Sequence, residues 1–265
     1  MKRQADDLGY GLMLVVVWLT VLFLVAPIIV AGAMSLDSRT YLGPFPPPDL
    51  SLQWYERFFT DRYFLRGLQT SLILAVIAAS ISTVVGVLTA FVIDRYEFKG
   101  KEAMTTFFLS PLVVPAVVVG FALLMFFSLT GVYDGFWRLL GGHVIITVPY
   151  TIRTTIASLV GISPSLTEAA LSLGAKERAA FWEITFPLAR TGIIAGAIFA
   201  FAFSMDDVAV SLFLTDPKNY TLPVALISSM RANFDLTIAA AALFLVAFTV
   251  VLILILDRLV GLDRM

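Results

Sequence analysis

The sequence predicts an all-α, polytopic membrane protein of six transmembrane helices, with a helical loop on the inner side between the fourth and the fifth. Three observations carry that prediction. Hydrophobic residues make up 59% of the 265-residue chain and charged residues 14%, against about 45–50% and about 25% in soluble proteins. Mean hydropathy is +0.93. The apolar residues gather into long blocks instead of recurring with the period of a globular fold, and six blocks meet or approach the about 20 residues that a crossing needs. A soluble enzyme is thereby disfavoured, and a net charge of −1 argues against a nucleic-acid binder. With no Cys in the chain, disulfides and thiol chemistry take no part.

The first block, 11–33, carries no charge. Lys2 and Arg3 precede it and Ala31-Gly32-Ala33 has the look of a cleavage site, but the run exceeds the about 7–15 residues of a signal-peptide core, so it reads as an uncleaved first span. The spans at 67–93, 104–130 and 236–256 are equally free of charge. The fourth, 139–160, contains His143 and Arg153, and the fifth, 191–215, contains Asp206 and Asp207. Function is to be sought in these two. The whole chain, 1–265, reads as one permeation domain without internal repeat or linker. Six spans put both termini on one side. With the amino terminus inside, the inner segments hold Lys2, Arg3, Arg95, Lys99, Lys101, Lys176, Arg178, Arg190, Arg258 and Arg264, a modest excess over the outer ones that favours this orientation.

The longest outer loop, 34–66, contains Pro44-Phe45-Pro46-Pro47-Pro48, a stiff extended turn. Leu52, Tyr55, Phe58 and Phe59 then recur at helical spacing, which predicts a short helix lying in the interface. Anchoring at headgroup level and contact with an external partner are both open readings of it.

The inner loop, 161–190, is too polar to span and too patterned for a passive linker. Ser165-Leu166-Thr167-Glu168 has the form of a capping box, so a helix is expected to start at Ser165. Leu166, Ala169, Ala170 and Leu173 give it a narrow apolar stripe, and Gly174 ends it by taking positive φ. A second helix follows through Lys176, Glu177, Arg178, Phe181, Trp182 and Ile184, with Pro187 breaking it before span five. The element reads either as a docking surface or as an amphipathic loop on lipid headgroups.

Glu168-Ala169-Ala170, Gly174, Ile184 and Pro187-Leu188 together resemble the EAA loop of permease subunits of bacterial ABC importers. Trp54-Tyr55, the run Asp94-Arg95-Tyr96-Glu97-Phe98-Lys99-Gly100, His143 with Pro149-Tyr150, and Ser204-Met205-Asp206-Asp207-Val208 extend the likeness to the spermidine/putrescine permeases, the second of their two permease subunits in particular. The resemblance implies a bacterial inner-membrane protein with both termini cytoplasmic. It implies a second permease, two cytoplasmic ATPase subunits and an extracytoplasmic binding protein as partners. It also implies coupling roles for Glu168, Ala169, Ala170 and Gly174, and substrate-pathway roles for Asp206, Asp207, Ser204 and Trp54. Two departures stand out: Thr191 where many members have a second Pro, and Pro115-Ala116 where the polyamine permeases tend to have Pro-Asp, which removes one acidic contact for a polycation.

Each carboxylate at a helix centre costs about 2.5–3.5 kcal/mol on insertion scales. Asp206 and Asp207 therefore read as facing a pathway that attracts amine cations, the competing reading being that span five ends near Met205 with the pair among headgroups. Arg153 is expected to snorkel to the inner headgroups. His143, with no Cys or carboxylate neighbour in sequence, is expected to serve packing or hydrogen bonding and not a metal. No phosphate-binding Gly-Lys-Ser/Thr loop occurs, so no cofactor is expected on this chain, and ATP and Mg would sit on a partner ATPase. The expected function is therefore import of a polyamine or related amine. An amino acid, opine or aminophosphonate is the alternative substrate, an ion-coupled secondary transporter the alternative class, and a membrane-bound enzyme a distant third.

Overall fold

The computed structural model describes residues 2–232 and 234–260. The side chains of 2–9, 12, 255–257 and 259–260 fall outside that description, those of Lys2 and Arg3 among them, and Arg264 lies outside the described residues altogether. The chain divides into two units, Met1–Arg62 with Ser228–Phe248, and Tyr63–Ile227 with Thr249–Met265.

The first unit begins with α1 (Lys2–Met34), whose large apolar side chains stand exposed on all sides, Trp18 at 69% and Phe23 at 78%. The following loop folds on itself. Asp37 and Leu50 form an antiparallel bridge, and the Asp37 carboxylate, wholly buried, is forked by the Arg39 guanidinium. That hydrogen-bonded ion pair holds the Asp37 carboxyl below its ordinary range. The predicted interfacial helix is α2 (Gln53–Thr60). It buries Trp54 and Phe58 and leaves Phe59 half exposed. Phe58 meets Phe244 at 5.4 Å between ring centroids, and Arg57 pairs with Asp235 at 3.2 Å.

The second unit opens with α3 (Arg62–Arg95, in this unit from Tyr63). The expected third span is not one straight helix. It runs as α4 (Lys101–Leu109), a 3₁₀ turn over Ser110–Leu112, and α5 (Ala116–Leu129), with a bend of 105° at the break. Pro115 explains the bend, because it has no amide hydrogen to donate and disfavours helical backbone at Val114. α6 (Gly135–Val160) is continuous through Pro149.

α7 (Pro164–Ser172) starts before the expected capping box. Ser163 is the boundary residue and Pro164 the first helical one, where a fixed φ is an advantage and a missing N–H costs nothing. Ser165 is thereby drawn inside the helix, where its hydroxyl meets that of Ser163 at 2.7 Å and no side chain caps the helix. Nor does Pro187 break the second helix. α8 (Glu177–Ala180) passes through a π turn at Phe181–Thr185 into α9 (Phe186–Asp206), so that Glu177–Asp206 is one apolar stretch. The widened π turn lies just ahead of Pro187, where an α turn would need the amide that proline lacks. α9 ends at Asp206, short of the expected 215. A turn leads to α10 (Ser211–Leu214), α11 (Leu222–Ala232) and α12 (Thr237–Val260). Among the described residues five helices are long and apolar enough to cross a membrane, or six if the bent pair counts as one span.

Candidate functional site

The site grows out of the seam between α6 and α9. Gly192, Gly196, Ala200 and Ser204 recur every fourth residue along α9, a stripe of small side chains that lets two helix backbones approach. A Cβ at Gly192 would lie 2.5 Å from the Thr154 carbonyl oxygen, and one at Gly196 would lie 3.0 Å from the Thr151 Cα. Thr151 is also tied to α3, donating to the Ser82 carbonyl at 2.8 Å, while the Ser82 and Thr147 hydroxyls meet at 2.6 Å. Hydroxyls thus replace hydrophobic attraction, which lipid cannot supply between helices.

At its end the stripe carries a buried polar knot. His143, on α6, is fully buried, with Nδ1 2.7 Å from Ser204 Oγ and Nε2 2.9 Å from Ser211 Oγ. Ser211 Oγ donates its proton to Asp207 Oδ2 at 2.9 Å, so it accepts from Nε2–H, and Nδ1 in turn accepts from Ser204. One neutral tautomer satisfies the whole chain. Asp207 also accepts from the Ser211 N–H at 2.8 Å, which fixes the turn into α10. Its Oδ2 lies 4.0 Å from His143 Nε2, too far for a direct hydrogen bond.

The two neighbouring aspartates therefore differ. Asp207 is buried and its oxygens are engaged. Asp206, the last residue of α9, is exposed and has no hydrogen-bond or salt-bridge partner among the described residues. Beyond the knot, Asp216 accepts from the backbone N–H of Gly135 at 2.8 Å and of Lys218 and Asn219 at 2.7 Å. Burial alone would raise its pKa, but these donors outweigh it and hold the carboxyl below its ordinary value.

Of the other expected pathway residues, Ser204 is buried in the knot. Trp54 belongs to the first unit, where it is 4% exposed and its indole N–H donates to the Asp37 carbonyl at 2.7 Å. Ala116, which stands where an acid was expected by resemblance, is the first residue of α5 beyond the bend. Arg153 is exposed and without an ion pair among the described residues. No three His, Asp or Glu side chains among them converge as metal ligands.

At the opposite end of α9 stands the α7 loop. Gly174 has φ +91°, and the Ala175 and Gly174 amides close back onto the Ala170 and Leu171 carbonyls at 3.0 Å each, the paired bonds of a Schellman ending. Glu168, Ala169 and Gly174 are exposed and Ala170 half-buried. Leu173 is 89% exposed and Trp182 53%. A cleft of about 350 Å³ runs beside α7, with Glu168, Asp94 and Arg95 in its wall.

Residues 82–262 match the family described as "Binding-protein-dependent transport system inner membrane component". The chain is 31% identical over 242 residues to the spermidine/putrescine transport system permease protein PotC of Escherichia coli, covering 91% of this chain and 90% of the relative. It is 29% identical to the putrescine transport system permease protein PotI of the same species, over 86% and 83%. Among solved structures, a chain of a bacterial ABC transporter involved in import of the acidic polysaccharide alginate superimposes with a TM-score of 0.76 at 17% identity, over 99% of this chain and 98% of that one, a likeness of fold. The family match extends over more than half of the chain, and the chain is a member of the family of binding-protein-dependent transport system inner membrane components.

Proposed function

We propose that the chain is one of two permease subunits of an importer for a polyamine or a related small amine. An extracytoplasmic binding protein delivers the substrate and two cytoplasmic ATPase subunits, which hold ATP and Mg, supply the energy. Both termini and the α7 loop lie in the cytoplasm. The observation that carries the substrate reading is the exposed, unpartnered carboxylate of Asp206 at the end of a membrane-spanning helix, since such a group persists only where water or a cation meets it. The likeness to two permeases named for putrescine transport supports it. Ala116 removes one acidic contact, which favours a short amine over a long polycation.

Glu168, Ala169, Ala170 and Gly174 form the coupling surface. The αL glycine sets the end of α7 and leaves Leu173 bare, an apolar side chain that a cleft on an ATPase would cover. Closure of the ATPases then moves α7. The unbroken helical path from Glu177 through Asp206 carries that movement to the acidic end. Asp207 and Ser204 hold the frame of the second unit, Trp54 pins the loop of the first, and Asp206 meets the substrate.

The competing class is an ion-coupled transporter in which Asp206 carries a proton or sodium ion. Uptake of labelled putrescine by right-side-out vesicles reconstituted with the assembled importer and its binding protein, with ATP enclosed, separates the two. Uptake that persists when ion gradients are collapsed and stops when ATP is withheld supports the importer, and the reverse pattern rejects it.

A further inference from the structure

We infer that Tyr150 and Phe203, together with Asp206, form half of a binding site for a primary ammonium group, with the second permease supplying the other half. The inference rests on the reading of Asp206 as a pathway residue and adds to it the groups that select the cation. Tyr150 on α6 and Phe203 on α9 lie with ring centroids 4.7 Å apart and planes at 38°. Phe203 is 37% exposed and Tyr150 is half-buried. Asp206 follows Phe203 by three residues, so the carboxylate and the ring share one face of α9, a turn apart.

Three features of this face fit an alkylammonium ion. The aromatic rings offer electron-rich faces that attract a cation. The carboxylate supplies a charge-assisted acceptor. The Tyr150 hydroxyl, which has no hydrogen-bond partner among the described residues, supplies a second acceptor. Neither an unpartnered phenol on α6 nor a carboxylate at the end of α9 is suited to lipid tails. An anion would be repelled by Asp206.

The test uses the assembled importer, with second permease, ATPases and binding protein, reconstituted in vesicles with labelled putrescine and spermidine as probes. Phe203→Leu and Tyr150→Leu remove the rings, Phe203→Tyr and Tyr150→Phe keep them, and Asp206→Asn removes the charge. The expected result is a three- to tenfold fall in maximal uptake rate for each Leu variant, about the worth of one cation–π contact. Subunit assembly and half-saturating probe concentration stay unchanged, and the conservative variants recover the rate. Wild-type rates in both Leu variants alongside a collapsed rate in Asp206→Asn would overturn the aromatic site and leave the reading of Asp206 standing. Normal uptake in Asp206→Asn rejects that reading and the ammonium site with it. Uptake of only neutral or anionic solutes by the unmodified importer would reject both.

Discussion

The two ends of α9 are built on opposite principles. At the Asp206 end His143, Ser204, Asp207 and Ser211 are buried and hydrogen-bonded to one another. At the Phe186 end Leu173, just past α7, and Trp182, in the π turn, are bare, and Glu168 on α7 is exposed. A region that satisfies its own polar groups is rigid and self-sufficient, whereas one that leaves apolar groups uncovered is incomplete without a partner. On the proposed function, force applied at the incomplete end of α9 would reach a fixed frame at the other.

The comparison breaks if either end behaves like the other. His143→Ala has the largest expected cost, about 2–5 kcal/mol, because it opens a cavity and strands the buried hydroxyl of Ser204; the melting temperature of the purified permease complex measures it. Gly196→Val comes next at about 1–3 kcal/mol, from overpacking against Thr151, and should also slow transport by spreading α6 from α9. Glu168→Lys and Leu173→Asp should alter permease stability by less than about 0.5 kcal/mol, as exposed positions do, yet sharply reduce co-purification of the ATPase subunits. Unchanged co-purification and uptake in both would remove the coupling role from α7.

The smallest effect is one of pH. Asp216 has its pKa lowered in the folded protein, so its contribution is present above the unfolded value of about 3.9 and is lost as pH falls through the folded value. Asp216→Asn should therefore be modestly less stable than the wild type at neutral pH, with the difference shrinking as pH falls below about 4, which acid-melting curves of the two proteins compare.

The sequence carried the spans well because uncharged blocks in a chain this apolar have few other destinies. A helix in the inner loop was legible from its apolar stripe, and Gly174 announced the left-handed turn that ends it. Local signals failed where two of them competed. Pro164 overrode the capping box at Ser165, the π turn absorbed Pro187, and Pro115 bent a block whose hydropathy looked uniform. The seam escaped notice because hydropathy does not register it, although the four-residue spacing of Gly192, Gly196, Ala200 and Ser204 carries its signal. Asp206 and Asp207 were indistinguishable as letters, since only the end of α9 between them turns one outward and the other toward Ser211. His143 was expected to be a satisfied hydrogen-bonding residue, but its partners lie 61 and 68 residues away, beyond any local pattern.

That division of labour between adjacent aspartates is the central claim, and paired measurement of Asp206→Asn and Asp207→Asn tests it most directly, with uptake rate and melting temperature recorded for both. Asp206→Asn should keep the wild-type melting temperature and lose at least about tenfold in putrescine uptake, the equivalent of about 1.4 kcal/mol. Asp207→Asn should be destabilised by about 1.5–3 kcal/mol through its lost charged hydrogen bonds. Normal uptake in Asp206→Asn, or an unaltered melting temperature in Asp207→Asn, would contradict the account.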